Sequence, residues 1–277
     1  MSFKKKRNFC DINPFYYAIS KQKEILKRLL KDFLSKEKFA KNIKKEKLPN
    51  IVSEHSSNII KKGKGIDITL QENKGVNIGI ASSKINGIVI HPGEVFSFWK
   101  TVGHATKRKG YKDGRVISKN GLKPGTGGGL CNLGNTINLL ILHSPLEIVE
   151  LHKHSDALAP DEGKRVPFSS GTSVSYNYVD YRFKNNTDQN VQILVWVENG
   201  ELCGELRSER EFPCRYKLVE ENHHYSKEGD DYYRISQVYR LVIDRLTNEE
   251  LYKELILDNH SVVMYDHNLI PKDEIWE

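Results

Sequence analysis

The stretch Pro124-Gly125-Thr126-Gly127-Gly128-Gly129-Leu130-Cys131-Asn132-Leu133-Gly134-Asn135-Thr136-Ile137-Asn138-Leu139-Leu140 decides how the chain is read. Three consecutive glycines favour neither helix nor strand, so they form a loop whose amides can approach another group closely. Apolar residues recur at helical spacing immediately afterwards, which puts Cys131 at a helix N-terminus. Unpaired amides and the positive end of the dipole there favour thiolate over thiol, so a lowered thiol pKa is expected. At about 100° per residue, Leu130, Leu133, Ile137, Leu140 and Ile141 share one side, while Cys131, Gly134, Asn135 and Asn138 share the other. A packing cysteine belongs with the Leu/Ile stripe; this one sits among amides.

Downstream, His143 and Ser144-Pro145 end the helix, His143 as a partner for its C-terminal dipole. Leu146 to Asp156 then reads as a strand with Glu150, His152, His154 and Asp156 on one face. A cysteine nucleophile needs an imidazole to take its proton and a carboxylate or amide to orient that ring. Asp180, inside an aromatic run, is a candidate orienting carboxylate, or else a partner for Arg182 or a neighbouring strand. The same set admits a metal: His152 and His154, with Cys131, Asp156 or Asp161, supply three zinc ligands and an open position. The leading expectation is metal-free thiol chemistry without a cofactor.

Upstream, Ile19 to Ile43 reads as an amphipathic helix closed by Leu48-Pro49, its apolar stripe docked on the body and its Lys-rich face free to touch anionic lipid. From Met1 to Lys64 there are 18 basic against 6 acidic residues, a net +12, while the rest of the 277-residue chain carries −5. Basic character confined to one arm argues against a nucleic-acid face. Short β-like runs follow at Ile66 to Leu70, Ile78 to Ala81 and Gly87 to Ile90, although a helix carrying Ile80 and Ile85 fits the same residues. Thr172 to Phe183, Val191 to Val197 and Glu201 to Arg207 form a meander; Ile235 to Asp244 and Leu251 to Leu257 form a hairpin. The expected fold class is α+β: a basic helical arm (1–64), a core with the cysteine helix on a mostly antiparallel sheet (65–210), and a C-terminal β-rich extension (211–277). Scattered cysteines and the lack of a secretory apolar segment make the cytoplasm the expected compartment, and composition excludes disulfide miniproteins and disordered chains.

Several stretches together resemble the VanW family: Pro92-Gly93-Glu94-Val95-Phe96-Ser97-Phe98-Trp99, Gly110-Tyr111-Lys112-Asp113-Gly114, Gly127-Gly128-Gly129-Leu130-Cys131-Asn132, His143-Ser144-Pro145-Leu146, and Val179-Asp180 followed by Asn185-Asn186-Thr187. The resemblance runs from about Gly65 to Leu206. It implies a link to cell-envelope or glycopeptide-resistance biology and carries the base role onto His154. Asn132 stands where the family pattern has Gln, a shorter amide of the same type.

Two functions compete. In an enzyme, papain-like or transglutaminase-like, Cys131 attacks an acyl or amide carbon, His154 accepts the proton, Asp180 or Asp156 orients His154, and amides of Gly128 to Cys131 hold the oxyanion. In a non-catalytic module, Gly127, Gly128 and Gly129 admit a peptide or cell-wall precursor, with Asn132, Asn135, Asn138, His152 and Lys112 near it and Phe96, Phe98, Trp99 and Tyr178 as walls. A third reading makes the glycine helix purely structural. Oligomeric state is left open.

Overall fold

The computed structural model describes residues 13–60, 67–118, 121–153 and 172–276. In chain order the elements are α1 (Pro14–Leu34), β1 (Asn42–Ile43), β2 (Asn50–Asn58), α2 (Ile68–Ile85), β3 (Ile88–Ile90), β4 (Val95–Ser97), α3 (Phe98–Val102), β5 (Asp113–Ser118), β6 (Gly121–Thr126) and α4 (Leu130–Leu142). They continue with β7 (Glu147–Glu150), β8 (Arg182–Lys184), β9 (Val191–Glu198), β10 (Glu201–Ser208), β11 (Cys214–Glu228), β12 (Asp231–Asp244), β13 (Glu250–Val262) and β14 (Ile275–Trp276). The fold is α+β.

A five-stranded antiparallel sheet in the order β1-β3-β9-β10-β2 is the floor of the core. The meander β9–β10 turns at Asn199-Gly200, both with positive φ, and the sheet's far edge is β2, drawn from the N-terminal segment. Helices α2 and α4 lie on this floor. Ile78 and Ile85 of α2, Leu133, Ile137 and Ile141 of α4, and the inward residues of β9 and β10 are all buried in one cluster. The long hairpin strands β12 and β13, with β11, make a second sheet. Its Val238 and Leu257 pack on Leu139 and Leu142, so α4 is covered on two sides.

Of the β runs and the helix that both fit Ile66 to Ile85, the helix is found where the stretch is described, as α2; Asp67 caps it by accepting from the Leu70 amide at 3.2 Å. Its buried face includes Gln71, Asn77 and Ser82, and these polar residues mask the helical periodicity. Helix α1 stops at Leu34, and Asn50–Asn58 beyond it is sheet. Its docking is also inverted: the body side carries Ile25, Arg28 and Asp32, while the apolar stripe faces outward. Finally, β7 ends at Glu150, and Ser175–Val179 is a turn with Asn177 at φ 52° rather than extended strand.

Candidate functional site

The glycine loop is explained by the protein's own backbone. A Cβ on Gly128 would lie 2.2 Å from the Gly114 carbonyl carbon, and one on Gly127 would lie 2.9 Å from the Ala105 Cβ. Gly129 caps α4 at φ 96°, where a Cβ would meet the Lys74 side chain at 2.3 Å. The amides are committed too: Gly127 donates to the Lys112 carbonyl at 3.0 Å and Gly128 to that of Gly125 at 3.0 Å. Asn77 locks the crossing, donating to the Gly128 and Lys112 carbonyls and accepting from the Lys112 amide at 2.8 Å. Lys112 therefore serves through its backbone, its side chain being exposed. The expected ligand cradle at Gly127 and Gly128 is a hairpin-to-helix interlock.

Other family-like stretches have the same character. Asn185 donates to the Ile90 and Gln189 carbonyls, both at 2.8 Å, and accepts from Thr187, closing its own loop. Ser97 caps α3 and donates to Asp180 at 2.6 Å. Asp180, fully buried, also accepts from the Trp99 and Tyr181 amides at 3.1 and 2.9 Å and from Arg182 Nε at 2.7 Å. Both of its oxygens are filled, so it is the partner of Arg182 and not an orienter of histidine. Arg182 reaches on to Asp32 of α1 through two hydrogen bonds of 2.7 and 2.9 Å. Burial opposes the Arg182 charge, but Asp32 and Asp180 raise its pKa further.

Cys131 occupies the second position of α4, as read, but its environment is not activating. Its thiol donates only a long contact, 3.9 Å, to the Val174 carbonyl. Burial pushes the thiol pKa up, outweighing the hydrogen bonding from Val174 and its own backbone, which reverses the expected lowering. His152 turns its ring to Glu150, Nε2 to Oε1 at 3.0 Å, and Glu150 is held by Arg28 through two contacts of 2.5 and 2.6 Å. Among the described residues no histidine ring is within hydrogen-bond reach of Cys131, and no group of three metal-ligating side chains forms. His154, Asp156 and Asp161 lie outside the described residues.

What the interlocks leave unexplained is the polar face of α4. Asn138 is fully buried, and neither its Nδ2 nor its Oδ1 has a hydrogen-bond partner. The Oδ1 atoms of Asn132 and Asn135 and the Thr172 hydroxyl are buried and unpartnered as well. Thr172 and Val174 lie within ordinary contact of the space beside Gly134, held there by the Lys153–Thr172 bridge and the Ser173 amide donating to His152 at 2.7 Å. Buried amides left unmatched are costly, and a cluster of them on one helix face calls for a partner. Elsewhere, His104 stacks on Tyr176 at 4.0 Å and Tyr176 meets Trp99 edge-on. Phe96 and Phe98, expected as walls, are core instead. The spacing of the asparagines was readable; Thr172 and the His104–Tyr176 ledge carried no sequence signal.

Across residues 73–207 the chain matches the family described as VanW like protein. Over that stretch it is similar to VanW-like proteins. It is 29% identical over 227 residues to the vancomycin B-type resistance protein VanW of Enterococcus faecalis, covering 82% of each chain. It is 30% identical over 143 residues to the uncharacterized protein YoaR of Bacillus subtilis, covering 52% of this chain and 46% of that one. No solved structure matches it significantly.

Proposed function

We propose that the protein binds a peptidic cell-envelope precursor along the polar face of α4, as a VanW-like recognition module in glycopeptide-resistance biology. The observation that carries this reading is the buried, unpartnered amide of Asn138 with Asn132, Asn135 and Thr172 around it. A carboxamide offers one acceptor and two donors, the complement of a peptide backbone's N–H and C=O. The name of the E. faecalis relative supplies the vancomycin-resistance context. Acyl transfer by Cys131 with His154 is the second reading, favoured by the position of Cys131 at the start of α4.

Calorimetric titration of a synthetic cell-wall stem pentapeptide into wild-type protein, Cys131→Ser and Asn138→Ala tests both. The binding reading expects Cys131→Ser to bind like wild type and Asn138→Ala to bind about ten- to a hundredfold more weakly, from two lost hydrogen bonds. Absence of binding by the wild type overturns it. A processed peptide that appears with wild type but not with Cys131→Ser replaces it with the enzyme reading.

A further inference from the structure

Helix α1 presents hydrocarbon to the outside. Phe33 is 85% exposed, Leu26 64% and Leu30 58%, and Phe15 and Ile19 continue the stripe towards the helix start. Phe15, Ala18, Ile19, Leu26 and Leu30 line a shallow apolar groove bordered by Lys23 and Lys27. An ordinary surface helix buries such a stripe. This one cannot turn over, because its other side is tied to the body by ion pairs: Arg28 to Glu150, and Asp32 to Arg182 at 2.7 Å and Lys100 at 3.1 Å. A contiguous exposed apolar patch rimmed by charge marks an interaction surface.

We infer that α1 is an interfacial membrane helix that lies flat on an anionic lipid surface, with Phe15, Ile19, Leu26, Leu30 and Phe33 entering the acyl boundary. Charge selects this occupant. The segment from Met1 to Lys64 carries 18 basic against 6 acidic residues, and Lys23 and Lys27 stand at the edge of the stripe, at headgroup level. Among the described residues no helix is long and apolar enough to cross a membrane, and the 21 residues of α1 span about 30 Å in the plane. An amphipathic helix with aromatic and leucine residues opposite lysines is the form that binds at the interface. The ion pairs then fix which face of the body looks towards the lipid.

The test is co-sedimentation of the full chain with phosphatidylcholine vesicles that contain or lack phosphatidylglycerol, at low and high salt. Wild type is expected to bind the anionic vesicles, much less the neutral ones, and to weaken as salt rises. The variant Leu30→Ser/Phe33→Ser changes only exposed positions and should bind at least tenfold more weakly, with an unchanged circular dichroism spectrum. Lys23→Gln/Lys27→Gln should weaken binding by roughly fivefold per lysine. Failure of the wild type to bind anionic vesicles overturns the inference. So does a wild-type dimer, seen by sedimentation velocity without lipid, that Leu30→Ser/Phe33→Ser converts to monomer while vesicle binding is unaffected, because a second copy then covers the stripe.

Discussion

Replacing Asn138 by alanine should make the protein more stable and at the same time weaken the proposed binding of a peptide. The side chain is fully buried with both polar atoms unpartnered. Burying an amide without compensation costs about 1–3 kcal/mol in protein mutational data. Two smaller terms oppose each other. Vacating a few tens of Å³ costs about 0.5–1 kcal/mol at roughly 24 cal/mol per Å³, while exchanging Asn for Ala inside a helix returns about 0.5–0.7 kcal/mol. The net expectation is a gain of about 1–3 kcal/mol, or a rise in Tm of roughly 2–12 °C for a domain of this size. Urea unfolding followed by circular dichroism measures it, with an unchanged m value required for the comparison. The sign decides. A loss of about 1 kcal/mol or more would mean that the amide is satisfied inside the folded protein, by bound water for example, and the polar face of α4 would then be structure rather than a binding surface.

Asp180→Ala should cost about 3–5 kcal/mol in the same urea experiment, because it strands part of the buried Arg182 charge and frees the Ser97 and Trp99 donors. Stability should also fall with acid. Burial alone would raise the carboxyls of Asp32 and Glu150, but Arg182 with Lys100 and Arg28 with His152 hold them below their ordinary 3.8 and 4.5. Their contribution is thus complete above those values and is lost as pH drops through the depressed folded ones, which Tm measured from pH 6 to 3 will show. Burial, reinforced by His143, also lowers the pKa of His55, so a shallower loss should begin below 6.5 as the unfolded chain takes up that proton first. Gly128→Ala should prevent folding because of its 2.2 Å collision with backbone, whereas Gly79→Ala, in α2 with open space around it, should stabilise by about 0.5–1 kcal/mol; soluble expression and Tm report both. Iodoacetamide should alkylate Cys131 more slowly at pH 8 than it does a free model thiol, since burial raises its pKa.

Elements with strong local periodicity were legible in the sequence. The glycine-led helix α4, the β9–β10 turn at Asn199-Gly200 and the β12–β13 hairpin fall where their apolar patterns and turn residues put them. Helix α2 was obscured because Gln71, Asn77 and Ser82 point inward, and a buried polar residue erases the amphipathic pattern that marks a helix. The orientation of α1 could not be read for a different reason. Its stripe is amphipathic as expected, but the partners that settle its direction, Glu150 and Arg182, lie more than a hundred residues downstream. The purpose of Gly128 is equally non-local, since Gly114 occupies its missing side chain. Asp180 and His152 were chemically plausible site residues by type; Arg182, two residues along, engages Asp180, and Arg28 from the distant α1 holds the Glu150 to which His152 turns. On α4 the asparagine face was visible at helical spacing, but its burial was not, because the cover comes from Thr172 and the C-terminal sheet.

The central claim is that the Asn138 carboxamide waits for a ligand's peptide group. Its side-chain amide resonance, in asparagine-labelled protein and identified by its loss in Asn138→Ala, can be followed by NMR as the stem pentapeptide is added. A saturable shift of the Asn138 signal together with that of Asn135 is the predicted result. A peptide that binds and leaves the Asn138 signal unmoved contradicts the account.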